Sequence, residues 1–305
     1  MTRVKAEILL VTVIVARSSS YLLSKLSLGS MGPFTMMALR FLISFAILYV
    51  IFFKKINNIN RQEMLHGSML GVIWFAIITL ELYGLKTVNS SMVSFIENIA
   101  IVLIPIFDAI LIRKLPKMRI VISTCITLLG VGFLTMRNST FTLSVGEMLC
   151  IGSATLYAVM VIFTDRICDK SDPIILGIVQ IGIVGILGLF LSFIFEQPRL
   201  PVGGQEWFYI IFLALICTVF GFTFQPLAQK YISAQRAGQL SAINPVAAAI
   251  LGWVFLNERM DLLKILGAVL ILGGVLYAES AQEDKKELEE TTNAEENDLE
   301  VNSYT

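Results

Sequence analysis

SAINPVAAAILGWVFLNERMDLLKILGAVLILGGVLYA, residues 241–278, reads as an oily segment, a polar turn at Asn257-Glu258-Arg259, and a second oily segment. Neither apolar stretch has the strict alternation of a strand. Each is close to the roughly 20 residues that a helix rising about 1.5 Å per residue needs to cross some 30 Å of hydrocarbon. The stretch therefore predicts two membrane spans, over 233–256 and 262–279, joined by a hairpin.

The same pattern recurs upstream. Spans are predicted at 6–27, 33–53, 64–85, 89–112, 118–136, 145–164, 174–195 and 207–229. Breakers separate them at Gly32-Pro33, Asn57-Asn58, Leu115-Pro116, Asp172-Pro173 and Pro198 to Gly204. The expected fold class is an all-α integral membrane protein with ten transmembrane helices. Composition agrees: 56% of the 305 residues are hydrophobic and 15% charged, where a soluble domain carries about 25%. The first span follows Arg3 and Lys5 but runs on past Arg17 without a small-residue cleavage site, so it is expected to stay as a helix.

The formal net charge of zero conceals an asymmetry. Residues 280–305 form an acidic tail with few large apolar side chains, which predicts a disordered, solvated segment. Elsewhere most basic residues gather on one side, in clusters such as Lys54-Lys55, Arg113-Lys114 and Lys230-Arg236. Lys25, Lys86, Arg137, Arg199, Arg259 and Lys264 fall on the other. The positive-inside rule then puts both termini in the cytoplasm, with the chain in the cell inner (cytoplasmic) membrane. Cys125, Cys150, Cys168 and Cys217 show no metal spacing, and His66 is the one histidine; no metal and no cofactor is expected.

Pro33 and Pro173 each open a span, with Arg40 and Gln180 at matching positions. TVNSSMVSFI (87–96) aligns with KYISAQRAGQ (230–239), and TLLGVGFLT (127–135) with LILGGVLYA (270–278). These matches predict two five-helix repeats, 1–140 and 141–279, ahead of the tail at 280–305. An odd number of spans per repeat inserts the second upside down relative to the first, a plan common in secondary transporters.

At residues 241–278 the sequence resembles the EamA-type branch of the drug/metabolite transporter superfamily, in its Asn-Pro helix, its Asn-Glu-Arg turn and its Gly-rich closing helix. ELYGLKTVNSSMVSFIENIAIVLIPIFDAILIRKLPK (81–117) and MALRFLISFAIL (37–48) match the corresponding regions of the first half. The resemblance implies a solute carrier with a central cavity, lined mainly by spans 1, 3, 4, 6, 8 and 9. Similar members move amino acids, metabolites, sugars or drugs. Where the family has an aromatic-Gly pair in the first span, this chain reads Arg17-Ser18-Ser19-Ser20.

Charged groups inside a bilayer cost about 2.5–3.5 kcal/mol each on insertion scales, so they face the bundle interior. Arg17, mid-span with Ser20 close by, is expected either to meet an anionic solute group or to sit in a structural ion pair. Glu81, Glu97 and Arg40 come at related depths; the acids are candidates for proton coupling, with a static ion-pair network including Arg40 as the other reading. Asn98, Gln225, Asn244 and Tyr157 are candidate solute contacts, with Trp74, Tyr83 and Phe224 as candidate walls. Pro105, Pro226 and Pro245 are expected to kink their helices and free a carbonyl one turn back. Gly130, Gly132, Gly267, Gly273 and Gly274 predict tight scaffold contacts or a homodimer face.

The expected partners are a small-molecule solute and the lipid bilayer; nucleic acid is not expected. No phosphate-cradling loop is present, so ATP hydrolysis is excluded, and no nucleophile elbow or His-Glu-x-x-His motif supports an enzyme. A secondary transporter is the leading reading. A flippase for a lipid-linked sugar and a non-transporting receptor or assembly factor are the alternatives.

Overall fold

A computed structural model describes residues 1–88, 90–97, 100–113, 118–135, 144–168, 170–241, 243, 244, 246, 247, 250, 262, 263, 265–274 and 277. Every regular element among the described residues is a helix. In chain order they form α1 (Arg3–Leu28), α2 (Pro33–Ile51), the single turn Phe53–Ile56, α3 (Arg61–Thr87), α4 (Ser90–Glu97), α5 (Ala100–Ile112), α6 (Met118–Thr135), α7 (Val145–Cys168), α8 (Pro173–Phe195), α9 (Gly204–Phe212), a π-helical segment (Leu213–Phe220), α10 (Gly221–Gln229) and α11 (Ala234–Ser241). Among the described residues six helices are long and apolar enough to cross a membrane; Ala100–Leu111, Met118–Gly130 and Ile265–Gly274 are shorter apolar helices. Asn98, Pro245 and the acidic tail lie outside the described residues.

The helix starts follow from local chemistry. Asn60 and Glu63 form a reciprocal capping box at the head of α3, with bonds of 2.7 and 3.1 Å. Asp172 caps α8 through the Ile174 amide at 2.9 Å, and Pro173 occupies the first turn, where no donor is lost. Asp172 also accepts from Lys55 at 2.7 Å. Burial works against its charge, but the Lys55 ammonium and the Ile174 amide hold its carboxyl below the usual value. Gly32 offers α2 no capping side chain, so the cap comes from 162 residues away: Glu196 accepts from the Phe34 amide at 2.9 Å. Its other oxygen takes the Thr35 amide at 2.8 Å and the Thr35 hydroxyl at 2.7 Å.

The bundle interleaves the two predicted halves. α2 runs along α8, while α3 packs against both α7 and α8. The α2–α8 seam is tight because glycine removes the side chains that would hold the helices apart. A Cβ on Gly185 would come within 2.9–3.0 Å of Leu42, its backbone nitrogen included. Overpacking of this kind typically costs about 1–3 kcal/mol. Gly185→Leu is therefore expected to lower the thermal midpoint in detergent by several degrees, and an unchanged midpoint would mean that the seam yields freely. A similar approach brings α6 against the Ile265–Gly274 helix, where a Cβ on Gly130 would lie 2.7 Å from the Gly267 carbonyl.

The eighth predicted span differs from a plain α-helix. Its central residues Leu213–Phe220 are π-helical, and the Thr218 hydroxyl donates to the Leu213 carbonyl, five residues earlier, at 2.8 Å. The wider turn changes the angular order of the residues around the helix. Cys217 consequently meets Ser19 and the Ala16 carbonyl of α1, each at 3.4 Å, while Thr218 faces α2.

Candidate functional site

Arg17 does not reach a carboxylate. Its Nη1 donates to Gln225 Oε1 of α10 at 2.5 Å. Its guanidinium carbon sits 4.8 Å from the ring centre of Trp74 and 4.4 Å from that of Phe222, within the range of cation–π attraction. Gly221 makes this placement possible, because a Cβ there would stand 2.7 Å from Arg17 Cγ. The aromatic walls and one amide thus hold a cation whose remaining donors have no hydrogen-bond acceptor among the described residues.

Arg40 of α2 is buried one layer away. It donates from Nε to Thr218 Oγ1 at 2.6 Å and from Nη1 to Ser20 Oγ at 3.0 Å. The π-helical segment supplies the first acceptor, which a regular helix would direct elsewhere. Ser20, expected at the solute, thus also anchors this second cation.

Glu97 ends α4. One of its oxygens accepts from the Tyr21 hydroxyl, which in turn accepts from Asn244 Nδ2 at 3.2 Å. Asn244 Oδ1 accepts from Ser18 Oγ at 2.7 Å. The other carboxylate oxygen, Oε1, is buried with no hydrogen-bond partner among the described residues, and the nearby Ser153 hydroxyl donates to the Ile77 carbonyl at 3.2 Å. Glu81 has no ion pair among the described residues and shares the field of Arg17 and Arg40.

Arg17, Arg40, Glu81 and Glu97 all line one cavity, together with Ser20, Tyr21, Trp74, Tyr157 and Asn244. Its volume is about 70 Å³. One water needs roughly 10–15 Å³ on that measure, so the cavity admits several waters or a small organic solute. Two acids and two bases meet here, yet none is ion-paired with another among the described residues. That corrects the ion-pair network expected from their depths: both arginines bond to neutral side chains.

The remaining candidates fall differently. Gln225 stands behind Arg17 and does not line the cavity. Tyr83 packs on Phe34 and Phe224 on Phe220, so neither forms a wall. Pro105 lies inside α5 and Pro226 inside α10. The carbonyl freed by Pro226 is that of Phe222, and the buried Gln180 amide of α8 fills it at 3.1 Å, leaving it closed to a solute. Tyr21, Phe222 and Ser153 were missed. Tyr21 stands four residues after Arg17, on the same face of α1, and that spacing was a signal available in the sequence.

The sequence profile of the EamA-like transporter family matches residues 4–136 and again 144–278. An uncharacterized transporter of Archaeoglobus fulgidus is 26% identical over 73% of this chain and 79% of its own length. The uncharacterized transporter YetK of Bacillus subtilis is 24% identical over 84% of this chain and 81% of its own. A solved crystal structure superposes with a TM-score of 0.75 at 21% identity, covering 91% of this chain and 97% of that one, which shows a shared fold. With apolar helices throughout and a cavity lined by charge of both signs, the chain belongs to the EamA-like transporter family and is a multi-pass membrane transporter.

Proposed function

We propose that the chain is a secondary carrier that moves a small organic solute across the cytoplasmic membrane by alternating access. In this reading ten spans form two inverted five-helix repeats, 1–140 and 141–279, and both termini are cytoplasmic. One observation carries the reading: Arg17, Glu81 and Glu97 line a common cavity without pairing to one another. Buried charges are costly when unmatched, and a solute with complementary groups matches them. An anionic group fits the free donors of Arg17, where a planar guanidinium offers two parallel N–H bonds. A cationic or donor group fits Glu81 and the unpartnered oxygen of Glu97. The solute is therefore small and bears both kinds of group, as an amino acid does. Glu97 is also the candidate proton carrier, since a proton there would let it donate to, as well as accept from, its neighbours.

Exchange measurements in proteoliposomes test this. Labelled neutral amino acids are compared with the matching amines, which lack the carboxylate, and the matching acids, which lack the ammonium. Each lost group leaves a buried partner unpaired and is expected to slow exchange at least about tenfold, equivalent to roughly 1.4 kcal/mol. Equal exchange of the parent and both analogues would defeat the assignment of the solute class.

A further inference from the structure

Between the cavity and the end of the bundle that carries the N-terminus lies a layer of buried apolar side chains. Ile14, Leu10 and Ala6 of α1 descend from the cavity floor and are at most 6% exposed. They pack in one apolar cluster with Ile104 of α5, Val161 of α7 and Leu240 of α11. The seven helical steps from Ile14 down to Glu7 span about 10 Å at 1.5 Å per residue. At its base Glu7 of α1 meets Arg236 of α11 in a two-point contact, Nε to Oε1 at 3.1 Å and Nη2 to Oε2 at 3.2 Å. Arg236 is 2% exposed and Glu7 9%. Arg3 adds a bond to the same Glu7 oxygen at 3.1 Å.

We infer that the Glu7–Arg236 pair is the latch of a gate that closes the cavity on the N-terminal side, with the Leu10–Leu240 layer as its water-tight plug. The inference rests on the alternating-access reading. α1 belongs to the first predicted half and α11 to the second, so this is where the halves must part for the cavity to open at that end. Apolar layers separate at a cost spread over many contacts, whereas a desolvated two-point ion pair has one bonded arrangement. Once apart, both charges regain water, which gives the open state its own stabilisation. The pair therefore defines two discrete states.

The test places a reporter in the plug. Leu10→Cys in the full chain is exposed to a charged, membrane-impermeant methanethiosulfonate in right-side-out and inside-out vesicles, and modification of that peptide is read by mass spectrometry. With the latch intact the thiol is protected. Glu7→Gln replaces the carboxylate that Arg236 bonds with a neutral amide and is expected to speed labelling at least about tenfold from the N-terminal face alone. The exchanged pair Glu7→Arg with Arg236→Glu, made together with Arg3→Ala so that no like charge faces the new arginine, is expected to restore protection. If Glu7→Gln does not fold, Arg236→Lys, which keeps the charge but loses the two-point contact, is read in the same way. Unchanged labelling in these folded variants, or an exchanged pair that stays open, overturns the gate. Solute exchange in the same vesicles separates the two claims. Exchange with unchanged labelling removes the gate and leaves the carrier; a labelling response without any exchange removes the carrier and leaves the latch.

Discussion

Arg17→Ala is expected to reduce solute exchange in proteoliposomes by at least about 100-fold, because truncating one partner of a buried charge contact typically costs about 2–5 kcal/mol. The loss has two sources. The anionic group of the solute has no counter-charge, and the face between Trp74 and Phe222 is left empty. Two companion variants tell these apart. Arg17→Lys retains the charge but not the planar fork, and about tenfold of the loss is expected to remain. Gly221→Ala leaves Arg17 in place chemically but sets a Cβ against its Cγ at 2.7 Å, so it displaces the cation without deleting it. A loss in Gly221→Ala alongside an unchanged melting temperature points to position, not mere presence, as what Arg17 contributes. Normal exchange by Arg17→Ala would remove it from the site.

The second large effect is expected at Glu97. Glu97→Gln keeps the shape and still accepts from Tyr21, but it can no longer gain or lose a proton. If Glu97 carries the coupling proton, accumulation driven by a pH gradient should fall by about tenfold or more, while solute exchange without a gradient persists, since exchange returns the carrier without a net proton step. Tyr21→Phe provides the contrast. It removes the donor to Glu97 and the acceptor for Asn244 but leaves the carboxyl able to titrate. Its expected signature is a shifted pH profile, not lost coupling. Gradient-driven uptake by Glu97→Gln at the wild-type level would assign coupling elsewhere, with Glu81 the next carboxylate on the cavity wall.

Why Arg17 and Arg40 escaped the expected ion pairs is instructive. Depth along a helix can be counted from the sequence, which set Glu81, Glu97 and Arg40 at related depths and Arg17 mid-span; in the structure all four line one cavity. Azimuth cannot be counted with the same certainty. The π-helical turn at Leu213–Phe220 alters which residues face α1 and α2, and no composition signal announces it. Through that turn Thr218 becomes the acceptor for Arg40. The Pro226 carbonyl shows the same division. Its release at Phe222 follows from proline chemistry alone, but its capture by Gln180 depends on how closely α8 approaches α10.

The order of oily segments, their breakers and their capping residues determined an all-helical membrane chain, because hydrocarbon allows a lone segment only the one backbone that satisfies its own hydrogen bonds. Membership of a transporter family was legible for the same reason, in motifs tied to where spans begin and turn. Pairing across the bundle was decided by the tertiary structure alone. Whether a buried charge meets another charge, an amide or an aromatic face depends on contacts between residues some 200 positions apart, such as Arg17 with Gln225 and Glu7 with Arg236. Local rules extend over a few helical turns, and those contacts lie beyond them.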